Sequence, residues 1–118
     1  MERDPRVYLC DVQQAAEKID QFTIGLDASG YLGNDLVRAG VERKFEIIGE
    51  ALSKLAKLAP NLARRVPHLG QIVGFRNALI HGYATVDDTQ VWLIAQQSLP
   101  ALREVVSSLL AEMGPPDA

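Results

Sequence analysis

The chain reads as an all-α domain, an antiparallel bundle of four to five helices. Apolar residues recur in steps of three and four through most of its length. No stretch keeps the strict alternation of a half-buried strand. Glycines, prolines and short polar residues fall between the periodic stretches, where helices have to stop.

The first helix is expected from about Pro5 to Phe22. Leu9, Val12, Ala16 and Ile19 form one apolar stripe there. Pro5 suits a first turn, because the N–H it lacks would have no helical partner at that position. "GLDASGYLGND" carries three glycines and reads as a turn-rich loop. A second, longer helix starts near Asn34 or Asp35, either of which can cap free N–H groups. It runs through Val41, Phe45, Ile48, Leu52 and Leu55 to Ala59, and Pro60 stops it. Gly49 within it costs about 1 kcal/mol relative to alanine, which suggests that another backbone comes close; simple tolerance is the plain alternative.

"NLARRVPH" reads as a short turn or helical fragment. "LGQIVGFRNALIH" forms a third helix with Gly82 as its C′ residue. "ATVDD" connects to a fourth, which Asp87 or Asp88 caps and which continues through Val91, Trp92 and Ile94. Pro100 cannot lie deep in a straight helix, so a kink or a fresh start is expected near Ser98. The amphipathic run "ALREVVSSLLAEM" follows. One domain over 1–113 and a disordered tail over 114–118 complete the layout. Phe45 and Trp92 are expected in the core, and Cys10 as a buried small apolar residue.

Composition narrows the class. An apolar fraction of 47% and a charged fraction of 23% suit a globular domain. Charges interrupt every apolar run, so no membrane span is expected, and the N-terminus has no secretion signal. Cys10 is the only cysteine, which excludes an internal disulfide and a cysteine-built zinc site and points to a cytoplasmic setting. The net charge of −3 argues against a nucleic-acid binder that uses its whole surface. Yet eight Lys/Arg stand against three acids between Arg38 and Arg76. That is either the ordinary solvation of long helices or one positive face able to draw a polyanion. Lys54, Lys57, Arg64 and Arg65 belong to this segment, and each taken singly reads first as a solvated charge.

The chemistry concentrates in "GFRNALIHGY". Asn77 and His81 are four apart and stack on one helix face. Arg76 reaches the rim of that face with its long stem. His81 falls in the last turn, where the helix dipole favours a protonated imidazole. Tyr83 emerges just beyond, with its hydroxyl expected in solvent. An imidazole to transfer protons and a guanidinium to brace a phosphate are the minimum for cutting RNA without a metal. The plain readings are a C-terminal cap for His81 and a structural ion pair of Arg76 with Glu50 or Glu46. No acidic cluster suggests bound Mg²⁺, and no cofactor is implied.

The string Arg76-x4-His81-x-Tyr83 resembles the signature of HEPN-domain ribonucleases, and more closely that of the HepT toxins, partners of MNT-type nucleotidyltransferase antitoxins. "VYLCDVQQAAEKID" is similar to that family's first helix, "FEIIGEAL" to its second-helix signature and "SLPALREVV" to its final helix. The resemblance implies a homodimeric, metal-independent endoribonuclease toxin that acts on RNA, with tRNA within the substrate class. Arg76 and His81 become its catalytic pair and Asn77 their support. Tyr83 becomes the acceptor of AMP groups that the antitoxin transfers from ATP. At the second-helix signature Gly49 is expected to permit close helix approach and Glu50 to orient Arg76. The reading from a different class is a non-catalytic helical module that dimerises and docks a nucleotidyltransferase.

Overall fold

A computed structural model describes residues 4–82 and 86–114. Every regular element among them is helical. α1 spans Pro5–Thr23, α2 Ala28–Leu32, α3 Asp35–Leu58, α4 Pro60–Ala63 and α5 Leu69–His81. α6 covers Asp88–Leu93, a π-helical turn follows over Ile94–Ser98, and α7 runs over Leu99–Met113. The expected tail lies outside the described residues beyond Gly114.

Caps set the helix starts. Asp4 accepts from the Arg6 amide at 2.9 Å, and Asn34 from the Val37 amide at 3.0 Å. Asp87 takes the Thr89 amide at 2.9 Å and opens α6. Each carboxylate or amide oxygen satisfies an N–H that has no partner within its own helix. Pro60 ends the long helix by starting a new one, since it sits in the first turn of α4. The restart expected near Ser98 is the π turn. Its wider i→i+5 register leaves Pro100 in the first turn of α7, where the absent N–H breaks nothing. Ser98 then ties this turn to α5 through a hydroxyl donated to Gln71 Oε1 at 3.0 Å.

The core is built from the two predicted stripes. Leu9, Val12, Ala16 and Ile19 of α1 are buried against Val41, Phe45, Ile48, Leu52 and Leu55 of α3. α3 is the central element: α1 packs along one side of it and α5 along the other, while α7 closes over α1. Phe45 meets Phe75 of α5 edge to face with centroids 5.4 Å apart, a favoured arrangement of aromatic quadrupoles.

Three local expectations change. "GLDASGYLGND" contains a helical turn, α2, started by Asp27 accepting from the Gly30 amide at 2.7 Å. That turn drives Tyr31 fully into the core, tilted at 34° against a half-buried Trp92 with ring centroids 5.3 Å apart. Gly82 is the C-cap at φ −136°, outside the left-handed region, and closes the helix by donating to the Ala78 carbonyl at 2.8 Å. Cys10 is half-buried instead of buried, because it falls beside the α1 stripe.

Candidate functional site

α5 is where the singled-out residues gather, and its own sequence explains how it presents them. Ile72 and Leu79 are its buried residues, so the helix lies on α3 along a narrow line. Asn77, Ala78 and His81 remain exposed on its outer side. Gly70 and Gly74 share that side, each with open space where a Cβ would stand.

Arg76 sits between the buried and exposed sides, and Gly49 makes its position possible. A Cβ built on Gly49 would lie 2.3 Å from Arg76 Cβ, 2.7 Å from its Cγ and 3.3 Å from the Ile72 carbonyl oxygen. The backbone that Gly49 admits is therefore α5 of the same chain. With its stem fixed on α3, the guanidinium donates from Nη1 to Asn77 Oδ1 at 3.0 Å. Its Nε is buried and has no acceptor among the described residues. Covered in this way the Nε cannot meet an anion from solvent, so any phosphate would be taken by the terminal Nη groups of the guanidinium.

The ion pairs considered for Arg76 do not form among the described residues. Glu46 pairs with Arg43 at 3.1 Å and Glu50 with Lys54 at 3.2 Å. The Lys54 hydrogen bond and charge, with help from Arg76 and Arg43, hold the Glu50 carboxyl below the usual glutamate range. Glu50 thus shares a field with Arg76 without gripping it. The His81 side chain makes no hydrogen bond among the described residues and is exposed at the end of α5. Five helical positions separate it from Arg76, roughly 7.5 Å of rise and roughly 140° of rotation. Asn77 lies between them along the helix, bonded to Arg76 and one turn before His81. Tyr83 lies outside the described residues.

The basic segment resolves into pairs and exceptions. Arg38 joins Asp35 and Asp88, Arg43 joins Glu46, Lys54 joins Glu50 and Arg65 joins Glu112. Lys44, Lys57, Arg64 and Arg76 keep no carboxylate within ion-pair distance among the described residues. Among them, too, no group of three or more His, Cys, Asp or Glu side chains converges as a metal site, and no helix is long and apolar enough to cross a membrane.

The family model for "Ribonuclease HepT-like" proteins matches residues 12–109. This chain belongs to the HepT-like ribonuclease family. It is 32% identical over 104 residues to putative RNase MJ1380 of Methanocaldococcus jannaschii, covering 88% of this chain and 94% of that one. It is 30% identical over 103 residues to probable ribonuclease HepT of Thermococcus cleftensis, covering 87% and 93%. Putative RNase MJ0125 of M. jannaschii is 28% identical over 113 residues, covering 94% and 95%. No solved structure gives a significant match. The family match extends from within α1 to within α7, so it spans nearly the whole fold of this HepT-like chain.

Sequence reading missed two parts of the site. It left Gly49 between close helix approach and simple tolerance, and could not know that Arg76 is what covers it. It also took Lys54 and Lys57 singly, although their spacing with Glu50 and Ser53 already puts all four on one helix face.

Proposed function

We propose that this HepT-like chain is a metal-independent endoribonuclease, the toxin of a toxin–antitoxin pair, with Arg76 and His81 as its catalytic residues. The observation that carries the reading is the arginine of α5, seated over Gly49 and held through Nη1 by Asn77 at 3.0 Å. An arginine fixed in that way is prepared for a phosphate before any substrate arrives. In the reaction the ribose 2′-oxygen attacks phosphorus and gives its proton to a base. The bond from phosphorus to the 5′-oxygen breaks, and an acid returns a proton to the leaving oxygen. His81 supplies the imidazole for proton transfer, and Arg76 neutralises charge growing on the phosphoryl oxygens.

A homodimer fits this chemistry, since a second copy brings a second imidazole. Gly70, Gly74 and Ala78 form a low, open strip one turn apart on the side of α5 that carries Asn77 and His81, and Ile80 nearby is 41% exposed. Such a strip lets two helices approach closely. Tyr83, two positions beyond His81, is the proposed acceptor of AMP from a cognate MNT-type nucleotidyltransferase. The added phosphate and bulk would oppose the approach of an RNA backbone.

The test is cleavage of RNA by purified protein in the presence of EDTA, comparing wild type with Arg76→Ala and His81→Ala. Loss of roughly 100-fold or more in each variant is expected, with growth inhibition lost in parallel. Wild-type cleavage and toxicity in His81→Ala would refute the assignment. For Tyr83 the readout is intact mass after co-expression with the antitoxin, where AMP additions should vanish in Tyr83→Phe.

A further inference from the structure

Beside Arg76 lies a shallow depression walled by Glu50, Ser53, Lys54, Lys57 and Arg76. Four of these residues come from α3, at positions that repeat by three and four and so share one face of the helix. Three cations meet one carboxylate there, on a chain whose net charge is −3. Lys57 is exposed and has no carboxylate partner among the described residues. The Lys54–Glu50 pair is about half exposed on both sides, so water screens it and a stronger anion can take the lysine. The Ser53 hydroxyl accompanies them, and the Arg76 guanidinium, which has no carboxylate partner among the described residues and is held by Asn77 at 3.0 Å, lines the far wall.

We propose that this depression is a second phosphate subsite, which holds a phosphodiester of the same RNA strand next to the one being cut. The proposal rests on the ribonuclease reading of Arg76 and His81 and extends it. Cβ atoms on a helix tilt towards its N-terminus, so the Arg76 stem leans away from the His81 end of α5. The scissile phosphate has to lie within reach of His81, and the strand then continues past Arg76 towards α3. Lys57 and Lys54 stand where its next negative charge arrives. Arg76 thus faces both subsites, and Glu50 competes with the RNA for Lys54.

A strand site of this kind predicts a defect in binding and not in chemistry. Cleavage of a single-stranded RNA oligonucleotide should show KM raised roughly 3- to 10-fold in Lys57→Ala, and further in Lys57→Glu, with kcat nearly unchanged. Lys57→Arg should restore KM. The plot of log affinity against log salt should flatten by about 0.7 for each cation removed, as expected for single strands. Binding of a 2′-deoxy oligonucleotide of the same sequence, measured by fluorescence anisotropy, separates the two readings. If the wild type binds it through Lys57 and Lys54 but cleaves no RNA, the nuclease reading falls and the subsite stands. If RNA is cleaved while Lys57→Glu keeps wild-type KM and salt slope, the subsite falls and the nuclease reading stands. An effect of these variants confined to binding of the nucleotidyltransferase, with RNA affinity untouched, would also overturn it.

Discussion

The Cβ and Cγ of Arg76 occupy the space that a side chain on Gly49 would fill, at 2.3 and 2.7 Å from the position of its Cβ. The clash is with the root of the arginine, fixed to the α5 backbone, so no rotamer change relieves it. A close approach of α3 and α5 is therefore also the seat of the candidate catalytic arginine. Packing and chemistry meet at one glycine.

Gly49→Ala should accordingly destabilise the protein by about 1–3 kcal/mol, as overpacking does. The sign is informative, because alanine in an ordinary helix interior would add about 1 kcal/mol of stability. Urea unfolding of the two proteins decides it; a midpoint at or above wild type would show that the helices part at no cost. Cleavage in the folded variant should fall as well, since α5 must move to make room.

Asn77→Ala removes the acceptor that holds Arg76 Nη1 while leaving Arg76 and His81, the proposed catalytic residues, intact. A hydrogen bond to a charged group contributes about 1.5–3 kcal/mol. A kcat loss of roughly 10- to 100-fold is expected, smaller than that of His81→Ala. Unchanged turnover would mean that the guanidinium finds its working position without Asn77.

Tyr31 carries a fully buried hydroxyl with no partner among the described residues. Tyr31→Phe should be neutral or stabilising by up to about 1 kcal/mol, since it removes an unmet polar group and keeps the ring on Trp92. Burial, with the charges of Glu42 and Asp88, pushes the Tyr31 hydroxyl well above its ordinary value. The folded state therefore keeps a proton that the unfolded chain releases above about pH 10. Stability from this group is complete below that pH and declines above it, and the decline should be smaller in Tyr31→Phe. Denaturant midpoints measured between about pH 8 and 11 would reveal it.

Glu42 answers to acid in the same sense. Burial first, and then Asp88, raise its carboxyl above the ordinary glutamate value, while Arg38 partly offsets them. A raised carboxyl favours the folded state while protonated, and that contribution is lost as pH rises through the folded value. Glu42→Gln should then raise the melting temperature at about pH 7, and the gain should shrink as pH falls through the raised folded value and be gone by about pH 4. A gain that persists undiminished at low pH would assign the effect to something other than ionisation.

Much of this protein was legible in one dimension. The stripes of α1 and α3 specify their buried faces because helical period and burial are the same fact seen twice. Asn34, Asp87, Pro60 and Pro100 mark boundaries through hydrogen bonds that local chemistry grants or denies. α2 escaped because three glycines resemble a loop, although Asp27 ahead of Gly30 is a usable cap. The motif of α5 could be read as a cluster, but its neighbours could not. Which atoms cover Gly49, which acids leave Arg76 alone and which lysines face it all depend on how two helices far apart in sequence lie against each other. Periodicity says which side of a helix is buried; only packing decides what it is buried against.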